Sequence, residues 1–90
     1  MNTYVKVQHD DTQEHFQVSL HFSEEQLRLV RSCGFKRPII QNLKLAEIKH
    51  LFISDLLGSP IVSFFYHDRR YTFYQFGPAV IEYLKEHLAA

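Results

Sequence analysis

The amino-acid sequence predicts an α+β fold in which an antiparallel sheet of two hairpins packs with three helices, in the order β-β-α-α-β-β-α. Three observations support this prediction. Residues 15–22 alternate apolar and polar side chains, which is typical of a half-buried strand. Residues 23–33 and 42–57 carry apolar side chains at helical spacing between helix-start and helix-stop signals. Residues 61–76 contain two aromatic-rich runs around a polar tip, which indicates a second hairpin.

The first hairpin is predicted near the N-terminus. Its first strand alternates Val5 and Val7 with polar neighbours, and residues 9–13 form a polar, turn-prone connection. Its second strand divides into an apolar face and a polar face, which are Phe16, Val18, Leu20 and Phe22 against His15, Gln17, Ser19 and His21.

The first helix is predicted to begin at Ser23, which has capping-box spacing to Gln26, and to end at Gly34. Residues 35–42 then contain Arg37-Pro38, and proline disfavours helix at the residue before it, so we expect a connector.

The second helix is predicted from about Asn42 to Leu57, where Gly58 and Pro60 end it. Apolar residues occupy so much of its circumference that we expect it to pack on more than one side.

The second hairpin is predicted to pair Tyr66 with Tyr71 and to leave residues 67–70 as its tip. Both of its faces carry aromatic side chains. Gly77-Pro78 is expected to start the last helix, whose inward residues are Val80, Ile81, Tyr83, Leu84 and Leu88.

The length and composition predict one globular domain over residues 1–90. A hydrophobic fraction of 46% argues against a disordered chain, and no apolar run is long enough for a signal peptide or a membrane span. Cys33 is the only cysteine, so no internal disulfide forms. We therefore expect a cytoplasmic protein without membrane insertion.

The charges are segregated along the chain although they sum to zero. Residues 28–50 contain six basic residues and one acidic residue, a net charge of +5. Such a segment favours an anionic partner. The alternative is a solvated face, because Arg28 has helical spacing to Glu24 and Glu25 and basic residues are favoured at a helix C-terminus without any ligand.

The leading functional hypothesis is a small non-enzymatic regulator that binds nucleic acid, or an acidic protein surface, through this segment and the hairpin tip. The candidate binding residues are Arg31, Lys36, Arg37, Lys44, Arg69 and Arg70. Two helices followed by a hairpin with an Arg-Arg tip and Gly77-Pro78 resemble the second half of winged-helix DNA-binding domains, such as those of the ArsR and PadR repressor families. The resemblance covers about a third of the chain and implies a recognition helix ending near Gly58 and a basic wing. The connector after Gly34 is longer than a helix-turn-helix turn, and an N-terminal hairpin replaces the first helix.

The alternative hypothesis is a protein-interaction module, an adaptor or an inhibitor, that uses an aromatic sheet face. Its candidate interface residues are Phe65, Tyr74, Phe76, Tyr83 and Leu88. The last four are also the predicted contact of a homodimer.

An enzyme is the third hypothesis, because His67, Asp68 and Arg69 at the tip lack a second catalytic group at a meaningful spacing. No cofactor or metal is expected. His15 and His21 share a strand face but lie about 20 Å apart at strand rise.

Overall fold

The computed structural model of the protein describes residues 2–74 and 80–88. In these ranges the chain forms seven strands, a 3₁₀ turn at Leu45–Glu47 and one helix, α1, at Val80–Leu88. The strands are β1 (Asn2–His9), β2 (Thr12–Phe22), β3 (Gln26–Cys33), β4 (Lys36–Lys44), β5 (Ile48–Leu56), β6 (Ser59–Tyr66) and β7 (Arg69–Tyr74).

All seven strands belong to one antiparallel sheet with the order β4-β3-β2-β1-β7-β6-β5. Strands β1 to β4 form one meander, and strands β5 to β7 form a second. The two meanders join where β1 pairs with β7, with Val5 opposite Phe73. The described sheet therefore ends at β4 on one side and at β5 on the other.

The sheet curls around its apolar face. The Gln41 side-chain amide on β4 donates a hydrogen bond of 2.6 Å to the Tyr71 hydroxyl on β7, and the Lys44 backbone amide donates one of 3.2 Å to the Tyr66 hydroxyl on β6. These strands are not neighbours in the sheet, so the contacts require strong curvature. The curved sheet thus has an inner face that encloses a core and an outer face that points away from it.

The core lies on the inner face and draws on both meanders. Period-two alternation explains it, because alternate residues of each strand point to the same side. Ile81 and Leu84 of α1 pack onto this core, and the Tyr83 ring meets the Phe22 ring edge-on at 5.3 Å. The buried apolar residues are Val5, Val18, Leu20, Leu27, Leu29, Leu43, Val62, Phe64, Tyr71, Phe73, Ile81 and Leu84.

The α+β prediction with three helices is wrong, and the first predicted helix is strand β3. Leu27 and Leu29 are both buried and are two residues apart, so they use the strand period. The capping signals at Ser23 instead serve a turn, in which the Ser23 amide donates to the Gln26 carbonyl at 2.9 Å. Gly34, at φ 68°, occupies the turn between β3 and β4.

The second predicted helix, from Asn42 to Leu57, is also wrong. This segment is the end of β4, the 3₁₀ turn and the whole of β5. The prediction failed because a short apolar run does not by itself distinguish a helix from a strand. The apolar residues 51–53 lie in a strand at the edge of the described sheet. Leu57 and Gly58, both with positive φ, form the two-residue turn to β6.

The two hairpins and the C-terminal helix are confirmed in part. Strands β1 and β2 pair as predicted, but their turn is only Asp10-Asp11. In the second hairpin Phe64, not Tyr66, lies opposite Tyr71, so the tip is two residues long and Arg69 and Arg70 belong to β7. This shift of two residues preserves the predicted division into faces. Helix α1 buries Ile81 and Leu84 as expected, whereas Gly77-Pro78 and Phe76 lie outside the described residues.

Candidate nucleic-acid interface

The outer face of the sheet is basic. The strand register fixes which residues point outward, because residues directly opposite each other share a face. Thr72 pairs with Lys6 and with Ser63, and Arg70 pairs with Phe65, which in turn pairs with Lys49. On the other half of the sheet Arg28 pairs with His21 and Asn42, and Lys44 pairs with Gln26. The outer face thus carries Lys6, Arg28, Lys44, Lys49 and Arg70.

Acidic residues lie elsewhere in the described strands and turns. Glu14 is opposite the inner-face residue Val7, and Asp55 is opposite Pro60 on the inner side of the register. The remaining acids occupy turns, the 3₁₀ turn and α1, namely Asp10, Asp11, Glu24, Glu25, Glu47, Asp68, Glu82 and Glu86. No aspartate or glutamate occupies an outward position of the seven strands. The outward strand positions therefore carry cations without carboxylates, and one carboxylate from outside the strands borders them. Glu47 of the 3₁₀ turn lies 4.0 Å from the Lys44 amine and lines a depression together with Lys49 and Phe65.

Aromatic side chains lie among these cations. Tyr4, Phe52 and Phe65 point outward with exposed fractions of 42%, 54% and 42%, and Tyr74 is half-buried on the same face. The Arg70 guanidinium carbon lies 5.9 Å from the centre of the Phe65 ring. We call Tyr4, Lys6, Lys49, Phe52, Phe65, Arg70 and Tyr74 the basic–aromatic face.

A polar floor under this face holds Arg70 in place. Ser63 and Thr72 are only 2% and 4% exposed, and their hydroxyl oxygens are 3.3 Å apart. The Arg70 Nε donates a 2.9 Å hydrogen bond to the Ser63 hydroxyl. This bond uses only the Nε–H donor, so the donors on the two terminal nitrogens are not part of it. Arg70 is thus oriented before any ligand binds.

The six predicted binding residues do not converge on one surface. Lys44 and Arg70 are on the outer face, and Lys36 and Arg37 are at the start of β4. Arg69 and Arg31 instead point inward and line a cleft of about 230 Å³ at one end of the core. Alternation explains the separation of Arg69 from Arg70, because consecutive strand residues point to opposite faces.

At this end of the core two basic side chains are paired with carboxylates of the same chain. Arg31 lies 3.2 Å from the Glu14 carboxylate and 4.3 Å above the centre of the Phe16 ring. His9 contacts Asp68 at 2.6 Å, and this hydrogen bond is the main reason that the pKa of Asp68 lies below its usual value. Arg31 is therefore balanced by a carboxylate, as is Lys44 on the outer face, whose amine lies 4.0 Å from Glu47.

The predicted protein-interface residues are divided between two sides of the sheet. Phe65 and Tyr74 lie on the outer face. Tyr83 and Leu88 belong to α1 and pack against the core. These residues therefore do not form one aromatic patch.

Sequence reasoning missed Tyr4, Lys6 and Phe52 as candidate binding residues. The position of Lys6 follows from the sequence, because the alternation of Val5 and Val7 places Lys6 on the polar face of β1. The outward position of Phe52 does not follow from the sequence, because the local pattern of residues 42–57 predicts a helix. The helices on which the winged-helix resemblance depends are strands, so the fold removes the basis of that resemblance.

No protein-family model and no curated protein matches this chain. Across residues 2–74 and 80–88, no group of three or more potential metal ligands comes together, and no helix has the length and apolar character needed to cross a membrane.

Proposed function

We propose that this protein binds single-stranded nucleic acid across its basic–aromatic face, as a non-catalytic regulator. The observation that supports this function is that the outward positions of the described strands carry cations and exposed aromatic rings but no carboxylate. Cations attract the phosphate backbone, and exposed rings stack on bases. A cytoplasmic location is part of the proposal, because a free Cys33 thiol fits a reducing compartment.

A single strand fits this surface better than a duplex. Bases in a duplex are stacked on each other, so exposed aromatic side chains gain little from them, whereas unpaired bases can stack on protein rings. Reading a duplex in its major groove needs a helix or a two-stranded ribbon that enters the groove. The basic–aromatic face is instead a broad surface formed by four adjacent strands, β1, β7, β6 and β5. It spans roughly 14 Å across the strands, enough for a few nucleotides.

The first test measures binding of a fluorescent single-stranded oligonucleotide by anisotropy as the salt concentration is raised. Each phosphate that the protein neutralises should contribute about 0.7 to the slope of log affinity against log salt concentration. Three to five contacts thus predict a slope between about −2 and −3.5. No binding at low salt with folded protein at high micromolar concentration would remove the proposal.

Arg70 and Arg69 provide a matched pair for this test, because they are adjacent in the chain but point to opposite faces. Arg70→Glu should weaken binding at least tenfold and reduce the salt slope by about 0.7, since it removes one phosphate contact and adds a repulsive charge. Arg69→Glu makes the same charge change on the inner side and should leave affinity within about twofold. Thermal melting of both variants checks that the fold is retained. Equal losses in both variants would contradict the assignment of the face.

The competing partner is an acidic protein surface, for which the same cations are suited. Tyr4→Ala separates the two, because a stacked base contributes about 1–3 kcal/mol whereas an acidic peptide gains nothing from a ring. The variant should bind the oligonucleotide at least fivefold more weakly and bind polyglutamate as the wild type does. Equal effects on both ligands would favour the protein-interaction function.

A further inference from the structure

Helix α1 packs at one end of the curled sheet, whereas the opposite end is open. The Phe22 ring at the C-terminal end of β2 contacts the Tyr83 and His87 rings of α1, with ring centres 5.3 and 4.5 Å apart. The cleft of about 230 Å³ lies at the other end, because the part of β2 that lines it runs from Thr12 to Val18. Strands β1, β3, β4 and β7 also contribute to its walls. The open end thus resembles the mouth of a β-barrel, a common site for small ligands.

The cleft has an apolar wall that the chain does not cover. Val7 and Phe16 are half-buried in it, and Ile39 at its rim is 56% exposed. By contrast, Leu20 and Leu27 near the end occupied by α1 are 1% and 0% exposed. A cavity of about 150 Å³ holds a benzene molecule. The cleft is larger than this, so it has room for one aromatic ring with a short side arm.

Polar donors converge beside this wall. The Gln41 amide donates a 2.6 Å hydrogen bond to the Tyr71 hydroxyl, which leaves the second N–H of that amide outside this bond. Arg69 lines the same cleft and lies two residues before Tyr71 on β7, so strand alternation sends both side chains inward. Burial raises the pKa of Tyr71, while the Gln41 bond and the nearby Arg69 charge oppose that rise. The cleft therefore combines apolar walls with N–H donors from two side chains.

The charges of the cleft favour a monoanion. Its charged lining side chains are Arg31, Arg69 and Glu14, an excess of one positive charge. Glu14 lies 3.2 Å from Arg31, and the Asp68 carboxylate contacts His9 at 2.6 Å. Over residues 2–74 and 80–88, no ion pair joins Arg69 to a carboxylate. A guanidinium group binds a carboxylate through two parallel hydrogen bonds, so Arg69 suits a ligand of this class.

We propose that this cleft binds a small monocarboxylate with an aromatic or branched apolar body. The ligand carboxylate contacts Arg69 and the second N–H of Gln41, and the apolar body lies against Val7, Phe16 and Ile39. A phosphate monoester is less suited, because most of it carries a second negative charge at neutral pH. The site lies on the inner side of the sheet, so it is separate from the basic–aromatic face and does not depend on the proposed nucleic-acid binding.

Phenylacetate is a probe of the right size and charge, and its binding is measured by titration of the ¹⁵N-labelled protein in NMR spectra. It should bind saturably with a dissociation constant below about 1 mM and should shift the amide signals of the cleft strands rather than those of α1. Phenylacetamide has the ring without the charge, and acetate has the charge without the ring. Each should bind at least about tenfold more weakly, and phenyl phosphate should also bind more weakly than phenylacetate. No saturation by about 10 mM phenylacetate, or equal binding of the amide or the phosphate, would overturn the proposal.

Arg69→Gln tests the anion contact and should weaken phenylacetate binding at least about tenfold, because it removes the charge that pairs with the carboxylate. Arg28→Gln is the matched control, since Arg28 lies on the outer face of β3, and it should leave the affinity within about twofold. Both side chains are exposed, and thermal melting checks that both variants fold. Ile39→Trp enlarges a rim side chain into the cleft and should weaken binding at least about fivefold. Equal affinities of the two arginine variants, or full binding by Ile39→Trp, would overturn the assignment of the site.

Discussion

Tyr71 is a core residue whose buried hydroxyl needs a hydrogen-bond partner within the protein. Its side chain is fully buried, and its hydroxyl accepts a 2.6 Å hydrogen bond from the Gln41 amide. Burial raises the pKa of Tyr71, because the charged phenolate would be desolvated, and the Gln41 bond offsets part of this effect. The residue thus joins the curled edge β4 to the middle of the sheet.

Tyr71→Phe should lower the free energy of unfolding by about 1 kcal/mol, because it removes one largely enclosed hydrogen bond but keeps the ring. The pH dependence identifies the cause. An unfolded tyrosine ionises near pH 10, whereas the folded one retains its proton to higher pH. The stability due to neutral Tyr71 is therefore complete below about pH 10 and is lost as the pH rises toward the folded pKa.

Urea unfolding of wild type and Tyr71→Phe at several pH values from 8 to about 11 measures this effect. The difference between the two proteins should be largest near pH 8 and should shrink above about pH 10. A difference that stays constant would show that ionisation of Tyr71 does not contribute.

At the scale of the element, the β5–β6 turn contains an unfavourable residue. Leu57 has φ 52° and Gly58 has φ 86°, the pattern of a type I′ turn, in which asparagine or glycine is preferred at the first position. Leucine pays a steric cost in this left-handed region because of its Cβ atom. Its side chain is also fully exposed, so the monomer gains nothing from burying it.

Leu57→Asn should therefore raise the free energy of unfolding by about 0.5–1 kcal/mol, since Asn-Gly suits this turn. The measurement is denaturant unfolding of the wild type and the variant at the same protein concentration. Leu57→Val is the control, because a β-branched residue tolerates positive φ poorly and should be destabilising. A loss of stability in both variants would show that the Leu57 side chain contributes to the monomer.

The elements predicted correctly from the sequence are those with an unambiguous period. Strict alternation in residues 15–22 identified β2, and the apolar spacing after residue 80 identified α1. Strands β3 and β5 were missed because local signals pointed elsewhere. Ser23, Glu24 and Glu25 suit a helix start as well as a turn, and Phe52, Ile53 and Leu56 also fit one side of a helix. Pairing with distant strands decides between these structures, and a single sequence does not contain that information in its local pattern.

The candidate surface was predictable only in part for the same reason. The excess of positive charge in residues 28–50 is a property of the sequence, but its distribution depends on strand alternation. That alternation sends Arg31 toward Glu14 and Arg28 to the outer face. Lys6 and Arg70, from opposite ends of the chain, become neighbours through the pairing of β1 with β7.

At the scale of the whole molecule, the two meanders depend on each other. Residues 1–47 supply Val5, Val18, Leu20, Leu27, Leu29 and Leu43, which are six of the twelve buried apolar residues in the part of the chain that the structure describes. The second meander and α1 supply the other six. Neither half encloses a core by itself.

A chain that ends at Glu47 should therefore fail to fold, although it contains four of the seven strands. It would leave half of the core unmade and expose the apolar side of β1, and small domains have little stability to lose. Circular dichroism and thermal melting measure the outcome, with the full-length chain as reference. A cooperative melting transition in the shortened chain would contradict this expectation.

The pairing of β1 with β7 also determines the order of events during synthesis. Val5 leaves the ribosome early, but its partner Phe73 is added 68 residues later, as their positions 5 and 73 show. At typical translation speeds this delay is roughly 3–14 seconds. Throughout that interval the nascent β1 lacks the strand that pairs with it on one side in the finished fold. The speed of translation thus sets how long a growing chain is exposed to incorrect pairing with other strands.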